Sequence, residues 1–141
     1  MQLFGDGRHR EATEILVEHI MLVSPGADRE KMLKGRQFDE RGELVDWDLS
    51  YCKISQLPES FCALVCRGNL DLSDNRLRSL PEGFGDITVG GHLNLHYNRL
   101  QSLPEGFGSI TVGGNLDLRG NQLTEYPSSF PNATGDIHVI R

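Results

Sequence analysis

Two nine-residue stretches, ITVGGHLNL at 87–95 and ITVGGNLDL at 110–118, are nearly the same text set 23 residues apart. The period extends well beyond them. Leu70, Leu93 and Leu116 keep the step of 23, as do Asn75, Asn98 and Asn121. So do the prolines Pro58, Pro81, Pro104 and Pro127 and the phenylalanines Phe61, Phe84, Phe107 and Phe130. An earlier, looser course fits the frame, with Trp47 for Leu70, Leu49 for Leu72, Cys52 for Asn75 and Ile54 for Leu77. A fifth begins at 137–139. A fixed period of this length restricts the chain to stacked, equivalent courses. One such unit offers a single apolar edge, which it can bury only against its neighbours.

Within a course, Ile87, Val89, Gly91, Leu93 and Leu95 place an apolar residue or glycine at every second position, the period of a strand with one buried face. Gly90-Gly91 and Gly113-Gly114 interrupt that run where a bend or a close backbone approach is expected. Strands are expected near 46–50, 69–73, 92–96 and 115–119, paired in parallel. The short period leaves room on the return side only for turns, 3₁₀ pieces or extended chain.

The segments NLDLSDNRLRSLP, HLNLHYNRLQSLP and NLDLRGNQLTEYP each carry L-x-L-x-x-N-x-L followed by a proline-marked turn, and in this they resemble the leucine-rich repeat family. The resemblance covers about residues 45–141. Its LPEGF turns and short period are similar to bacterial repeats, including those of secreted ubiquitin-ligase effectors. It implies an α/β solenoid, a short curved array with parallel strands on the concave face, and a binding role. One position departs from the family: its usual first leucine is Arg67, Gly90 or Gly113 here, and the apolar role passes to Ile87/Val89 and Ile110/Val112. Asn75, Asn98 and Asn121 read as a structural ladder whose amides satisfy backbone groups at the turn. Cys52 stands at the equivalent place as a small buried thiol.

Residues 1–42 lie outside the frame and form a separate helical segment, with 43–141 holding four repeats and part of a fifth. Ala12, Ile15, Leu16, His19, Ile20 and Val23 fall at helical spacing over about 8–23. Ser24-Pro25 offers the start of a second, shorter helix carrying Met32 and Leu33, and Gly35 its stop. These helices are expected to cover the apolar end of the first course, the rival reading being a partner-binding helix. The chain reaches the array through GRQFDERGELVDW, with a turn at Arg41-Gly42.

The net charge of −6 argues against a nucleic-acid partner, because phosphate binding needs a basic face. No apolar run approaches the length of a membrane span. Three cysteines do not make a disulfide framework. A cytoplasmic setting is expected, or export by a route without an N-terminal hydrophobic signal. No catalytic motif is present, and no cofactor or metal is expected. His92 and His96 would stand about 13 Å apart in one strand, too far to share an ion, and the 23-residue frame places His138 in the His92 column. Cys62 and Cys66 lack the second pair of a zinc site.

What the repeat leaves free is a surface. The column between the two leucines reads Asp48, Asp71, Asn94, Asp117; the next Ser50, Ser73, His96, Arg119; the third Tyr51, Asp74, Tyr97, Gly120. Asp48, Tyr51, Asp71, Asp74, Asn94, His96, Tyr97, Asp117 and Arg119 are therefore the candidate contacts for a protein or peptide partner. Two other readings stand beside this one: a recognition fragment of a secreted effector whose catalytic part lies elsewhere, and a self-assembling structural solenoid. The strand-like tail at 137–140 would expose an edge, so a homo-oligomer through that C-terminal edge is expected.

Overall fold

The leucine pairs of the repeated L-x-L stretches are withdrawn from solvent: Leu70, Leu72, Leu93, Leu95, Leu116 and Leu118 are at most 1% exposed. The computed structural model, which describes residue 4, residues 8–124 and residues 137–138, shows how. After α1 (His9–Val23), α2 (Arg29–Lys34), β1 (Arg36–Phe38) and β2 (Leu44–Asp48), each course repeats one path. A 3₁₀ turn leads to a two-residue strand, and a short step then enters a second strand. The turns are Glu59–Ala63, Glu82–Asp86 and Glu105–Ser109. The strands are β3 (Val65–Cys66) and β4 (Leu70–Asp71), β5 (Thr88–Val89) and β6 (Leu93–Asn94), and β7 (Thr111–Val112) and β8 (Leu116–Asp117). β9 (Ile137–His138) follows.

Two sheets result. One runs β1-β2-β4-β6-β8-β9 and the other β3-β5-β7. From β2 onward the pairing is parallel, with Trp47 opposite Leu70, Leu70 opposite Leu93 and Leu93 opposite Leu116. The expected parallel register is present, in strands shorter than the leucine pattern suggested. Gly90 and Gly113 explain the break. An added Cβ at Gly90 would collide with the Arg67 carbonyl, and one at Gly113 with that of Gly90. Successive backbones approach too closely there for a side chain, and the chain steps from one sheet to the other.

The core is an aromatic column flanked by aliphatic ones. Phe61, Phe84 and Phe107 stack with ring centroids 6.4 and 6.0 Å apart and planes within 2°. Trp47 extends the column, 6.1 Å from Phe61. Its indole Nε1 donates to the Met32 carbonyl at 2.9 Å, so the one polar atom of a fully buried ring is satisfied from α2. Leu16, Val17, Ile20 and Met32 join the same hydrophobic cluster.

The N-terminal segment differs from expectation in three ways. The second helix starts at Asp28, whose carboxylate accepts from Lys31 N–H, and not at Ser24-Pro25. Ser24 instead ends α1, and its hydroxyl accepts from Ser55 N–H in the first course. The buried face of α1 includes His9, Thr13 and Val17, while Ile15 is 38% exposed. Thr13 tolerates burial because its hydroxyl donates to the Arg10 carbonyl and accepts from the Arg36 guanidinium. Finally, the turn expected at Arg41-Gly42 is present, with Gly42 at a left-handed φ of +79°, but it closes a hairpin over 36–48 in which β1 pairs antiparallel with β2.

The last course also departs from the frame. Ile137 pairs with Leu116 and His138 with Asp117, a step of 21 residues where the other courses take 23. His138 therefore joins the Asp117 column and not the His92 column. Pro127, Phe130, Val139 and Ile140, on which the fourth and fifth courses and the expected C-terminal edge depend, lie outside the described residues.

Candidate functional site

Three ladders of polar side chains hold the turns and define what surface is left over. In the first, Asn75 Oδ1 accepts from the N–H groups of Cys52 and Ile54, while its Nδ2 donates to the carbonyls of Leu49, Leu72 and Ser73. Asn98 accepts from Leu77 N–H and donates to Leu72, Leu95 and His96 carbonyls. Asn121 does likewise with Leu100, Leu95, Leu118 and Arg119. Cys52 opens the ladder, and its thiol keeps one of these donations, to the Ser50 carbonyl.

The second ladder is built from unlike residues. Asp46 Oδ1 accepts from Asn69 N–H, Asn69 Oδ1 from His92 N–H, and His92 Nδ1 from Asn115 N–H, at 2.7 to 2.8 Å. An accepting Nδ1 places the His92 proton on Nε2. His92→Asn should therefore leave urea-melt stability within about 0.5 kcal/mol, whereas His92→Leu should lose about 1 kcal/mol, the net value of one hydrogen bond. Equal losses would mean that His92 contributes only bulk.

The third ladder is the column between the leucines. Asp48, Asp71, Asn94 and Asp117 each accept, through Oδ1, the backbone N–H two residues on. This is the local turn that Asx side chains favour. One Oδ of each residue is thus engaged within its own course, and the column presents less free carboxylate than the sequence suggests.

Beyond the ladders a cluster forms on the strand ends. His96 Nδ1 lies 3.2 Å from Asp117 Oδ2, and its Nε2 lies 3.7 Å from Asp74 Oδ2. Arg119 closes on Asp117 through Nε and Nη2 at 2.9 and 2.6 Å. Burial pushes the Asp117 carboxyl up, but the hydrogen bonds and charge of Arg119 and the contact from His96 outweigh it and hold the group at about 2. A carboxyl held below its unfolded value stabilises the fold above pH ~4 and loses that contribution as pH falls toward 2. After solvent screening the contribution is about 1 kcal/mol. Acid titration of stability should show this loss between pH ~4 and ~2 in the native protein and a smaller one in Asp117→Asn. Identical curves would place the acid sensitivity elsewhere.

Next to the cluster, Tyr51 and Tyr97 are 61% and 62% exposed. Tyr97 meets the His96 ring edge-on at 4.8 Å, and Lys31 Nζ lies 5.3 Å from the Tyr51 ring centre. The structure thus brings Asp74, His96, Tyr97, Asp117 and Arg119 together and sets Tyr51 beside Asp74. Asp48, in the course before that of Asp74, hydrogen-bonds Ser50, and Ser73 is buried.

A further column consists of Lys53, Arg76 and Arg99, which follow Cys52, Asn75 and Asn98 at the same step of 23. It lies along the tyrosines. Tyr51, Lys53, Asp74, Arg76, Tyr97 and Arg99 border a cleft of about 380 Å³.

Thiol chemistry has little to work with here. Burial pushes the Cys52 thiol up to about 11 and those of Cys62 and Cys66 to about 12, so all three stay protonated at neutral pH. Among the described residues no three His, Cys, Asp or Glu side chains gather where they could hold an ion, and no helix is long and apolar enough to cross a membrane.

The family model of the Leucine Rich Repeat matches residues 69–87, a span that begins just before β4 and runs through the Glu82–Asp86 turn. Residues 69–87 thus carry a leucine-rich repeat, and repeats of this family generally mediate protein–protein interaction. No curated protein matches the chain.

Proposed function

We propose that this chain is a non-enzymatic protein-interaction module that engages a protein or peptide across the outer ends of β2, β4, β6 and β8. The observation that carries the reading is the pair Tyr51 and Tyr97. Both are large, exposed aromatics, and both sit on backbone in the left-handed region, at φ of 56° and 55°. A bulky residue there costs about 1–2 kcal/mol, and the fourth course uses Gly120 at the same position, with φ of 73°. Strained positions of this kind concentrate at functional sites, and tyrosine is enriched where proteins bind one another. The α1–α2 segment serves as cover for the first course: its side chains fill the cluster around Trp47, and β1 pairs with the outer edge of β2.

Affinity capture with the native chain, with Tyr51→Ser/Tyr97→Ser and with Glu82→Ala/Glu105→Ala tests the reading. The tyrosine pair should lose the captured partner by at least tenfold, while the variant on the 3₁₀-turn side retains it. Loss in both variants, or in neither, would move the binding surface elsewhere.

A further inference from the structure

We infer that the segment held at this face is acidic, its carboxylates seated along Lys53, Arg76 and Arg99 between the two tyrosines. The inference rests on the interaction reading above and supplies its partner chemistry.

Charge complementarity carries the argument. The chain as a whole has a net charge of −6, yet the cleft bordered by Tyr51 and Tyr97 sets three cations against one carboxylate. That carboxylate, Asp74, already has a neighbour, His96 Nε2 at 3.7 Å from its Oδ2. The nearby carboxylates of Asp48, Asp71 and Asp117 each accept a backbone N–H. Lys53, Arg76 and Arg99 are all exposed, and among the described residues none has an ion pair or a side-chain hydrogen bond. By contrast, Arg29, Arg67 and Arg119 each close on a carboxylate within 2.7 Å. Three cations in a row without an ion pair among the described residues, on an acidic protein, suit a partner from outside.

The spacing defines the ligand. Backbone bonds from Arg76 N–H to Ile54 and from Arg99 N–H to Leu77 hold the three cations on successive courses. Courses about 4.8 Å apart put Lys53 and Arg99 about 10 Å from one another. An extended peptide rises about 3.3 Å per residue, so two or three Asp or Glu side chains within four residues span the row. Guanidinium groups hold carboxylates through two parallel hydrogen bonds, and the tyrosine rings flank the peptide's apolar portions. Gly120 leaves the space beside Tyr97 that a Cβ would take from its ring.

A random decapeptide display library selected on the immobilised chain provides the test. The native protein should enrich Asp and Glu at least fivefold over input, clustered within four residues. Lys53→Glu/Arg76→Glu/Arg99→Glu should reverse the preference toward Lys and Arg. Tyr97→Gly, which relieves the left-handed backbone, should keep the melting temperature within about 2 °C and lower the affinity of the selected acidic peptides at least fivefold. Enrichment of basic or uncharged peptides that still depends on Tyr51 and Tyr97 would overturn the acidic assignment and leave the interaction reading standing. Selection indifferent to both tyrosines would overturn the two together. Tighter binding of a single-stranded oligonucleotide, lost in the triple reversal, would replace the peptide with a phosphate polymer and likewise overturn the inference.

Discussion

Phe84→Ala should destabilise the protein by about 3–5 kcal/mol, the range for truncating a fully buried aromatic ring. Phe84 is the middle ring of the column, in parallel contact with Phe61 on one side and Phe107 on the other. Truncation opens a void between two courses at once. Courses held by short strands on one side and 3₁₀ turns on the other have little else to close that void. In a solenoid, nearest-neighbour contacts carry most of the stability, so the lost interface should also broaden the urea transition. Phe84→Leu should recover more than half of the loss. A cost below about 1 kcal/mol would mean that the column is not what joins the courses.

Asn98→Ala should cost about 3 kcal/mol by a different route. The side chain bonds four backbone groups, and its loss orphans the Leu77 N–H in a buried turn. A buried donor left without a partner costs about 1–3 kcal/mol, and the forfeited carbonyl contacts add to it. Leu72 O accepts from both Asn75 and Asn98, and Leu95 O from both Asn98 and Asn121. Neighbouring amides are therefore coupled. Asn75→Ala combined with Asn98→Ala should deviate from additivity by more than about 0.5 kcal/mol in a double-mutant cycle. Strict additivity would show the amides acting independently.

The period made the stack legible because one residue type recurs wherever one physical role recurs. Leucines at the core, asparagines at the turn and phenylalanines on the return side each mark a column that sequence alone displays. Legibility fails where one role is filled by different chemistry. Asp46, Asn69 and His92 are an acid, an amide and an imidazole, yet each offers an acceptor to the next course's N–H. Only the geometry reveals that job, and it gives His92 a structural place that its chemistry does not advertise. The hairpin was hidden for another reason. Arg36-Gln37-Phe38 is too short to show alternation, and its pairing with β2 is fixed by the turn around Asp39 and Gly42. The start of α2 was misplaced because Ser-Pro and Asp28 both carry valid capping chemistry. Asp28 N–H bonds the Cys52 carbonyl, and that tertiary contact fixes the start of α2 at Asp28.

The candidate surface was legible in outline and incomplete in detail. Columns at the step of 23 identified Tyr51, Asp74, His96, Tyr97, Asp117 and Arg119, which the fold does place along neighbouring strand ends. The sequence makes Asp48, Asp71 and Asp117 look free for an external partner, because it does not show the backbone N–H that each accepts. Lys53, Arg76 and Arg99 carried the same periodic signal, and it was overshadowed by the asparagines beside them.

The most direct measurement replaces single residues with photoreactive benzoylphenylalanine, at Tyr97 in one protein and at Glu105 in another, and irradiates each with its captured partner. Tyr97 lies on the proposed face and Glu105 on the 3₁₀-turn side. The account predicts partner adducts from position 97 and none from position 105. Adducts from position 105, with none from position 97, would contradict it.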